Sequence, residues 1–375
     1  MAEANDAVLV TVEDAVCDYD FGAAHPLRPE RVLLTYGHIE QLGFHDLPGL
    51  TQLRMQPVGE DAILRAHDSD YVEMVKALGD GREEHSRGLR FGLGTRDNPI
   101  FEKMHTASVA VCSATSTAAR AVASGEASRA FNPAGGLHHA RRREASGFCI
   151  YNDPAVAIYE ILEIQPDWRV MYLDVDVHHG DGVQGIFYSD PRVLTLSLHQ
   201  SDRYLYPGTG FENEIGIGDA RGTSANVPFL SFAGENDYLW ALETVLDGLA
   251  AAFKPDVLVT QLGADTHHGD PLADLALTMR AFPAMAQVIE DAVLNHCSGR
   301  WVATGGGGYQ AETVVPKVWT MHFAQMCGAP ELIPQEWLDD VDPSTVARPQ
   351  TDGVKRSVDT VLASCVPLLS ALRRH

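Results

Sequence analysis

The chain has 375 residues, 45% hydrophobic and 21% charged, a composition that supports a sizeable folded core and excludes a disordered polymer. Lys and Arg number 28 against 51 Asp and Glu, a formal net charge of −23 that disfavours nucleic acid and anionic membrane as partners and favours cationic ones. No apolar run reaches the length of a membrane-spanning helix, about 18 residues. The opening MAEANDAVLV lacks the pattern of a signal peptide, and the scattered Cys17, Cys112, Cys149, Cys297, Cys327 and Cys365 form no CxxC pair, so a soluble cytoplasmic protein with free thiols is expected. In chain order, β-branched runs predict strands over 7–12, 129–131, 169–176, 192–198, 256–263 and 300–305. Helical patterns fall at 29–42, 99–124, 153–164, 235–253, 273–295 and 310–327. Such alternation implies βαβ crossovers and an α/β fold around a mostly parallel sheet, and the near-continuous apolar strands imply helices on both of its faces. The tail, about 354–373, reads as an amphipathic helix interrupted at Pro367, packed on its own domain or on another subunit. With no internal repeat or low-complexity linker, residues 1–375 are expected to form a single domain.

Three polar clusters stand at the ends of predicted strands, where open parallel sheets bind their ligands. The first, YLDVDVHHGDG, puts Asp174, Asp176, His178 and Asp181 directly after a strand that should be buried. Buried carboxylates are costly unless a cation or a protonated partner neutralises them. The second, QLGADTHHGDPL, offers Asp265. Asp176, His178 and Asp265 together would form a carboxylate-rich site suited to Zn²⁺ or Fe²⁺. An isolated DxH is usually an exposed strand end, but three clusters at three strand ends weaken that explanation. In the loop 132–153, the adjacent His138 and His139 need partners that fix their tautomers, and Asp174 and Asp181 are available. The third cluster, GGGGY, delivers Tyr309, whose phenol could donate to an oxyanion. Its glycines lack the context of a phosphate-binding loop. His179, His267 and His268 are expected in packing or rim positions, and the run Arg141–Arg143 on a solvated or salt-bridged face.

In order and spacing, HPLRPERV, GGLHHARRREASGFCIYND, YLDVDVHHGDGVQGIFY, VLTLSLH, YPGTG, GADTHHGDPL and GGGGY resemble the zinc-dependent histone deacetylase family, more closely its bacterial acetoin-utilisation branch. The likeness spans about 25–319. It implies an arginase/deacetylase-type three-layer α/β/α sandwich, and hydrolysis of the acetamide of acetyl-lysine in proteins or peptides. It also implies metal ligands Asp176, His178 and Asp265, catalytic His138 and His139 partnered by Asp174 and Asp181, and Tyr309 as transition-state donor. The acyl-lysine tunnel would be lined by Gly147, Phe148, Tyr206 and Leu272. Asp97 would grip the substrate backbone at the rim, and Arg31 would line an inner channel for acetate. A structural K⁺ would sit on the backbone carbonyls of Asp174, Asp176 and His178 with Ser197 and Leu198. Two positions depart from the usual pattern. Tyr206 stands where many relatives carry phenylalanine, and Pro271 stands where nuclear relatives carry an arginine for inositol phosphate. The alternatives are an acetylpolyamine or longer-acyl deacylase, a dinuclear ureohydrolase, and an inactive acyl-lysine binder. Oligomeric state is left open.

Overall fold

The computed structural model describes residues 7–11, 14–201, 205–338 and 341–372. Val12, at the end of the first expected strand, and Arg373, at the end of the expected tail helix, lie outside the described residues, as do residues 1–6. Among the described residues eight strands form one sheet: β1 Ala7–Thr11, β2 Leu50–Arg54, β3 Arg129–Asn132, β4 Val170–Asp174, β5 Val193–Gln200, β6 Ser224–Phe229, β7 Val257–Gln261 and β8 Trp301–Thr304. Their order is β2-β1-β3-β8-β7-β4-β5-β6. Every pairing is parallel, so the expected mostly parallel sheet is parallel throughout the described residues.

Both faces are covered. Alternate residues of each central strand enter opposite cores: Val170 and Tyr172 join Val8, Val10 and Val302 on one side. Met171 and Leu173 join Leu9, Leu258 and Trp301 on the other. This period of two, apolar on both faces, is why those strands read as unbroken hydrophobic runs. Helices Met104–Ser124 and Asp153–Ile164 supply the first core, while Glu235–Phe253, Ala281–His296 and Val315–Met326 supply the second. The result is the three-layer α/β/α sandwich.

The expected helices over 153–164 and 235–253 are found end to end. Those expected at 99, 273 and 310 begin later, at Met104, Ala281 and Val315, because loops precede them. The tail departs from expectation. Helix Thr351–Ala371 runs through Pro367 without interruption and packs on its own chain, with Val354, Val358, Val361, Cys365 and Leu369 buried in the second core. Cys365 Sγ donates to the Ser224 carbonyl of β6.

The topology decides where the site lies. The strands β3, β8, β7 and β4 are consecutive neighbours at the centre of the sheet, and all point the same way. The loops leaving their C-terminal ends carry His138 and His139, Tyr309, Asp265, and Asp176 with His178, respectively. Residues scattered from His138 to Tyr309 thus meet at one edge of the sheet.

Candidate active site

β4 ends at Asp174, two residues earlier than expected, so Asp176 and His178 sit in the turn beyond it rather than on the strand. The turn lets their side chains meet Asp265. Ligand atoms of Asp176, His178 and Asp265 lie within 4.8 Å of one another, and all three residues are buried. His178 Nδ1 faces Asp176 Oδ1 at 3.1 Å and Asp265 Oδ2 at 3.2 Å. The remaining oxygens are held by donors: Gln261 Nε2 and the Gly307 N–H reach Asp176 Oδ2 at 2.7 Å each, and the Val177 N–H reaches Asp265 Oδ1 at 2.9 Å. Glycines make room for the carboxylates. A Cβ on Gly307 would lie 2.1 Å from Asp265 Oδ2, and one on Gly263 would lie 2.4 Å from Asp176 Oδ2.

The electrostatics show what the cluster suits. Burial, and then the charge of Asp176, push the Asp265 carboxyl up to about 8, while Asp176 is held well below the usual carboxylate range by His138 and His178 against its own burial. Two buried acids in contact cannot both ionise on protein groups alone. A divalent cation on these three ligands removes the conflict, and one imidazole with two carboxylate oxygens is a donor set that Zn²⁺ or Fe²⁺ accepts. The residues fit the ion.

The twin histidines line the same space. His138 Nδ1 donates to Asp174 Oδ2 at 2.7 Å, and His139 Nδ1 donates to Asp181 Oδ1 at 2.7 Å. Both pairings are those expected. Each Nδ1–H bond fixes a tautomer that leaves Nε2 free to accept a proton. The two rings nevertheless differ. Burial pulls His138 down, but the carboxylates of Asp174 and Asp176 outweigh it and raise it to about 9. Burial, and then the charge of His138, lower His139 to about 4. His139 is therefore the neutral, proton-accepting ring.

One pocket of about 190 Å³ collects every residue expected along the substrate path: Asp97, Gly147, Phe148, Tyr206 and Leu272, with His139, His178 and Tyr309 at its inner end. Phe148 and Tyr309 meet edge to face, with centroids 5.7 Å apart. Tyr206 stands edge-on to His139 at 5.0 Å, and its hydroxyl bonds Ser146. Behind the histidines, Arg31 lines an inner space with His138 and Leu137. Arg31 Nη1 donates to the Gly306 and Gly308 carbonyls at 2.8 and 3.1 Å, and its guanidinium stacks over Trp319. Asp174 and Ser197, two of the residues expected around K⁺, are register partners across β4 and β5.

Several supporting side chains escaped the sequence reading. Asn152 Oδ1 caps helix Asp153–Ile164, while its Nδ2 donates to the His138 and Ala140 carbonyls. Asp153 accepts from the Gly136 and Leu137 N–H groups. His25 accepts from the Leu27 N–H and faces the Asp97 carbonyl at 3.2 Å. Arg141, expected on a solvated or salt-bridged face, is salt-bridged: it grips Asp181 through Nε and Nη2 at 3.1 and 2.8 Å. The signal for Asn152 and Asp153 was their place in the stretch GFCIYND, but adjacency alone gave no role. His179, by contrast, is the buried, satisfied histidine expected, bonded to Thr209 Oγ1 and Gln184 Oε1. His267 stacks on Phe282 and tilts against His268, and neither histidine belongs to the ligand cluster found among the described residues.

A buried Asp-His-Asp cluster that could hold a metal ion stands beside two carboxylate-paired histidines, at the C-terminal edge of the parallel sheet, the arrangement of a hydrolase-type site. Residues 25–326 match the family described as Histone deacetylase domain, and the chain belongs to that family. It is 41% identical to the acetoin utilization protein AcuC of Bacillus subtilis (strain 168) over 322 residues, 85% of this chain and 82% of that one. Its identity to AcuC of Staphylococcus aureus (strain MRSA252) is 31% over 329 residues, 87% of this chain and 84% of the relative. The crystal structure of an HDAC homologue from Aquifex aeolicus superposes with a TM-score of 0.81 at 30% identity, covering 95% of this chain and all of the other. The protein is thus an AcuC-like deacetylase of the histone deacetylase family.

Proposed function

We propose that the protein hydrolyses the acetamide of Nε-acetyl-lysine in proteins or peptides, with Zn²⁺ or Fe²⁺ held by Asp176, His178 and Asp265. The observation that carries this reading is the pair of imidazoles, both tied to carboxylates and both beside the ligand cluster. When bound, the cation supplies Lewis-acid polarisation of the carbonyl and acidifies water. The chain's own groups do the rest. The acyl-lysine stem lies between Phe148 and Tyr206, whose aromatic faces suit a methylene chain, while Asp97 holds the substrate backbone at the rim. His139, neutral and oriented by Asp181, takes a proton from the attacking water and returns it to the leaving lysine nitrogen, a role worth roughly 10²–10⁴-fold. His138, paired with Asp174, supplies positive charge. Tyr309 donates its phenolic hydrogen to the developing oxyanion; burial holds that hydroxyl well above its ordinary pKa, so it stays protonated. Water adds across the amide, giving lysine and acetate, and Arg31 in the inner space offers the acetate a cationic exit.

The K⁺ on the Asp174, Asp176, His178, Ser197 and Leu198 backbone and side-chain oxygens belongs to the same proposal, as does a cytoplasmic location suited to six free thiols. Leu272 at the pocket mouth favours a lysine stem emerging from a peptide over a cationic polyamine. A ureohydrolase's second metal finds no support, because Asp181 is engaged by His139 and Arg141. Acetylated peptides, N-acetylpolyamines and longer acyl-lysines, assayed alongside metal analysis, test the proposal. Acetyl-lysine peptide should be preferred, chelation should abolish turnover, and metal add-back should restore it. Tyr309→Phe should lower kcat roughly 10²–10³-fold. Undiminished turnover by chelated protein refutes the mechanism.

A further inference from the structure

Four glycines precede Tyr309, so the loop that carries the phenol has almost no side chains with which to anchor itself. Glycine backbones are the most costly to order. Three side chains from elsewhere hold this one. Asp176 accepts the Gly307 N–H, Arg31 donates to the Gly306 and Gly308 carbonyls, and Asp270 Oδ2 accepts the N–H of Tyr309 itself at 2.8 Å. The first two already belong to the site. Asp270 does not. It lies five residues beyond Asp265 and is 8% exposed. Its other oxygen, Oδ1, accepts the Leu272 N–H at 2.9 Å, and its own N–H donates to the His267 carbonyl at 2.9 Å. One buried carboxylate therefore joins the loop after β8, which bears Tyr309, to the loop after β7, which bears Asp265 and the mouth residue Leu272.

We propose that Asp270 is the positioning residue that fixes the Tyr309 hydroxyl over the substrate carbonyl and ties its placement to the pocket mouth. The inference rests on the deacetylase reading of Tyr309. Two N–H groups on two oxygens require a carboxylate. Asparagine offers one acceptor oxygen and turns an NH₂ group toward the other N–H, so one of the two loops must be released. A misplacement of about 1 Å at a reacting centre can cost about 10²-fold in rate.

The test is a double-variant cycle in the full chain: wild type, Asp270→Asn, Tyr309→Phe and the double variant, with kcat and KM on an acetyl-lysine peptide, metal content and thermal unfolding. Asp270→Asn should lower kcat roughly 10- to 100-fold with metal content unchanged, and should cost less than about threefold once Tyr309 is already phenylalanine. Asp270→Ser, which leaves room for water to solvate both N–H groups, carries the same cycle should the asparagine variant not fold. Losses that multiply in the double variant, or an unchanged kcat in Asp270→Asn, overturn the inference while leaving the deacetylase reading intact. An inactive wild type, or a fully active Tyr309→Phe, overturns that reading first and this inference with it.

Discussion

Gly147 shows how tightly single residues are specified. It adopts φ +49°, and a Cβ there would lie 2.2 Å from His139 Cδ2 and 3.0 Å from Tyr206 Cε1. Neither ring can yield freely: Asp181 holds His139, and Ser146 holds the Tyr206 hydroxyl. Gly147→Ala should therefore push His139 off its hydrogen bond and lower kcat by about 10²-fold, with thermal unfolding changed far less than activity. Wild-type kcat in that variant would show that the loop has slack. The candidate catalytic residues were legible in the sequence because they are titratable and adjacent: His138 with His139, Asp176 with His178, glycines with Tyr309. Their supports were not. Gln261 on Asp176, Arg141 on Asp181 and Asp270 on Tyr309 are bonds spanning 85, 40 and 39 residues. No local pattern encodes such a bond, since an amide or guanidinium that braces a carboxylate reads like any other polar residue until the loops are placed.

At the scale of elements, the sequence reading failed at the edges of the sheet and in the tail. β2, LTQLR, is half exposed, and β6, SANVPF, carries Ser, Asn and Pro228. They are the two outermost strands. An edge strand pairs on one side only, so it tolerates proline and needs no apolar run, and the signal that revealed the six inner strands is missing. The tail failed for the opposite reason. Pro367 removes one i→i−4 hydrogen bond and should break an isolated helix at a cost of about 3 kcal/mol. Buried Val358, Val361 and Cys365 before it and Leu369 after it hold the helix in one piece against β6 and helix Glu235–Phe253. Tertiary burial overrides the local penalty. Pro367→Ala should accordingly raise unfolding stability by about 1–3 kcal/mol, read from the midpoint of a urea titration. A lower midpoint would mean that the ring itself fills space against β6.

Across the whole molecule, the acid surface and the buried histidines set how the fold responds to pH. His67 lies between the two halves of the site's outer loop, donating from Nδ1 to the Arg141 carbonyl at 3.0 Å and accepting the Asn152 N–H at Nε2. Burial holds it down to about 4, and burial holds His322, in the helix covering the second core, down to about 3. Neither His322 ring nitrogen has a hydrogen-bond partner. A depressed histidine contributes its full stability above the unfolded value of about 6.5 and loses it as pH falls through the folded value, because the unfolded chain takes up the proton first. For His67 that loss is roughly 3 kcal/mol between pH 6.5 and 4. Asp153 acts in the other direction: burial raises it to about 6, so it becomes less destabilising as pH falls from 6 toward 3.8. Asp270, raised to about 6 by burial, acts with Asp153, and against these two acids the two histidines should make the thermal midpoint fall below pH 6.5. His322→Leu removes a buried polar ring that bonds nothing and replaces it with an apolar group of similar volume, a change expected to be neutral or stabilising at pH 7.5. The decisive comparison is the fall in thermal midpoint between pH 7.5 and 5, which should be smaller in His322→Leu than in wild type. An equal fall in both would place the acid sensitivity elsewhere, in His67 or in the site's own imidazoles, since the self-repulsion of a chain with net charge −23 weakens as pH falls toward its isoelectric point near 5.0.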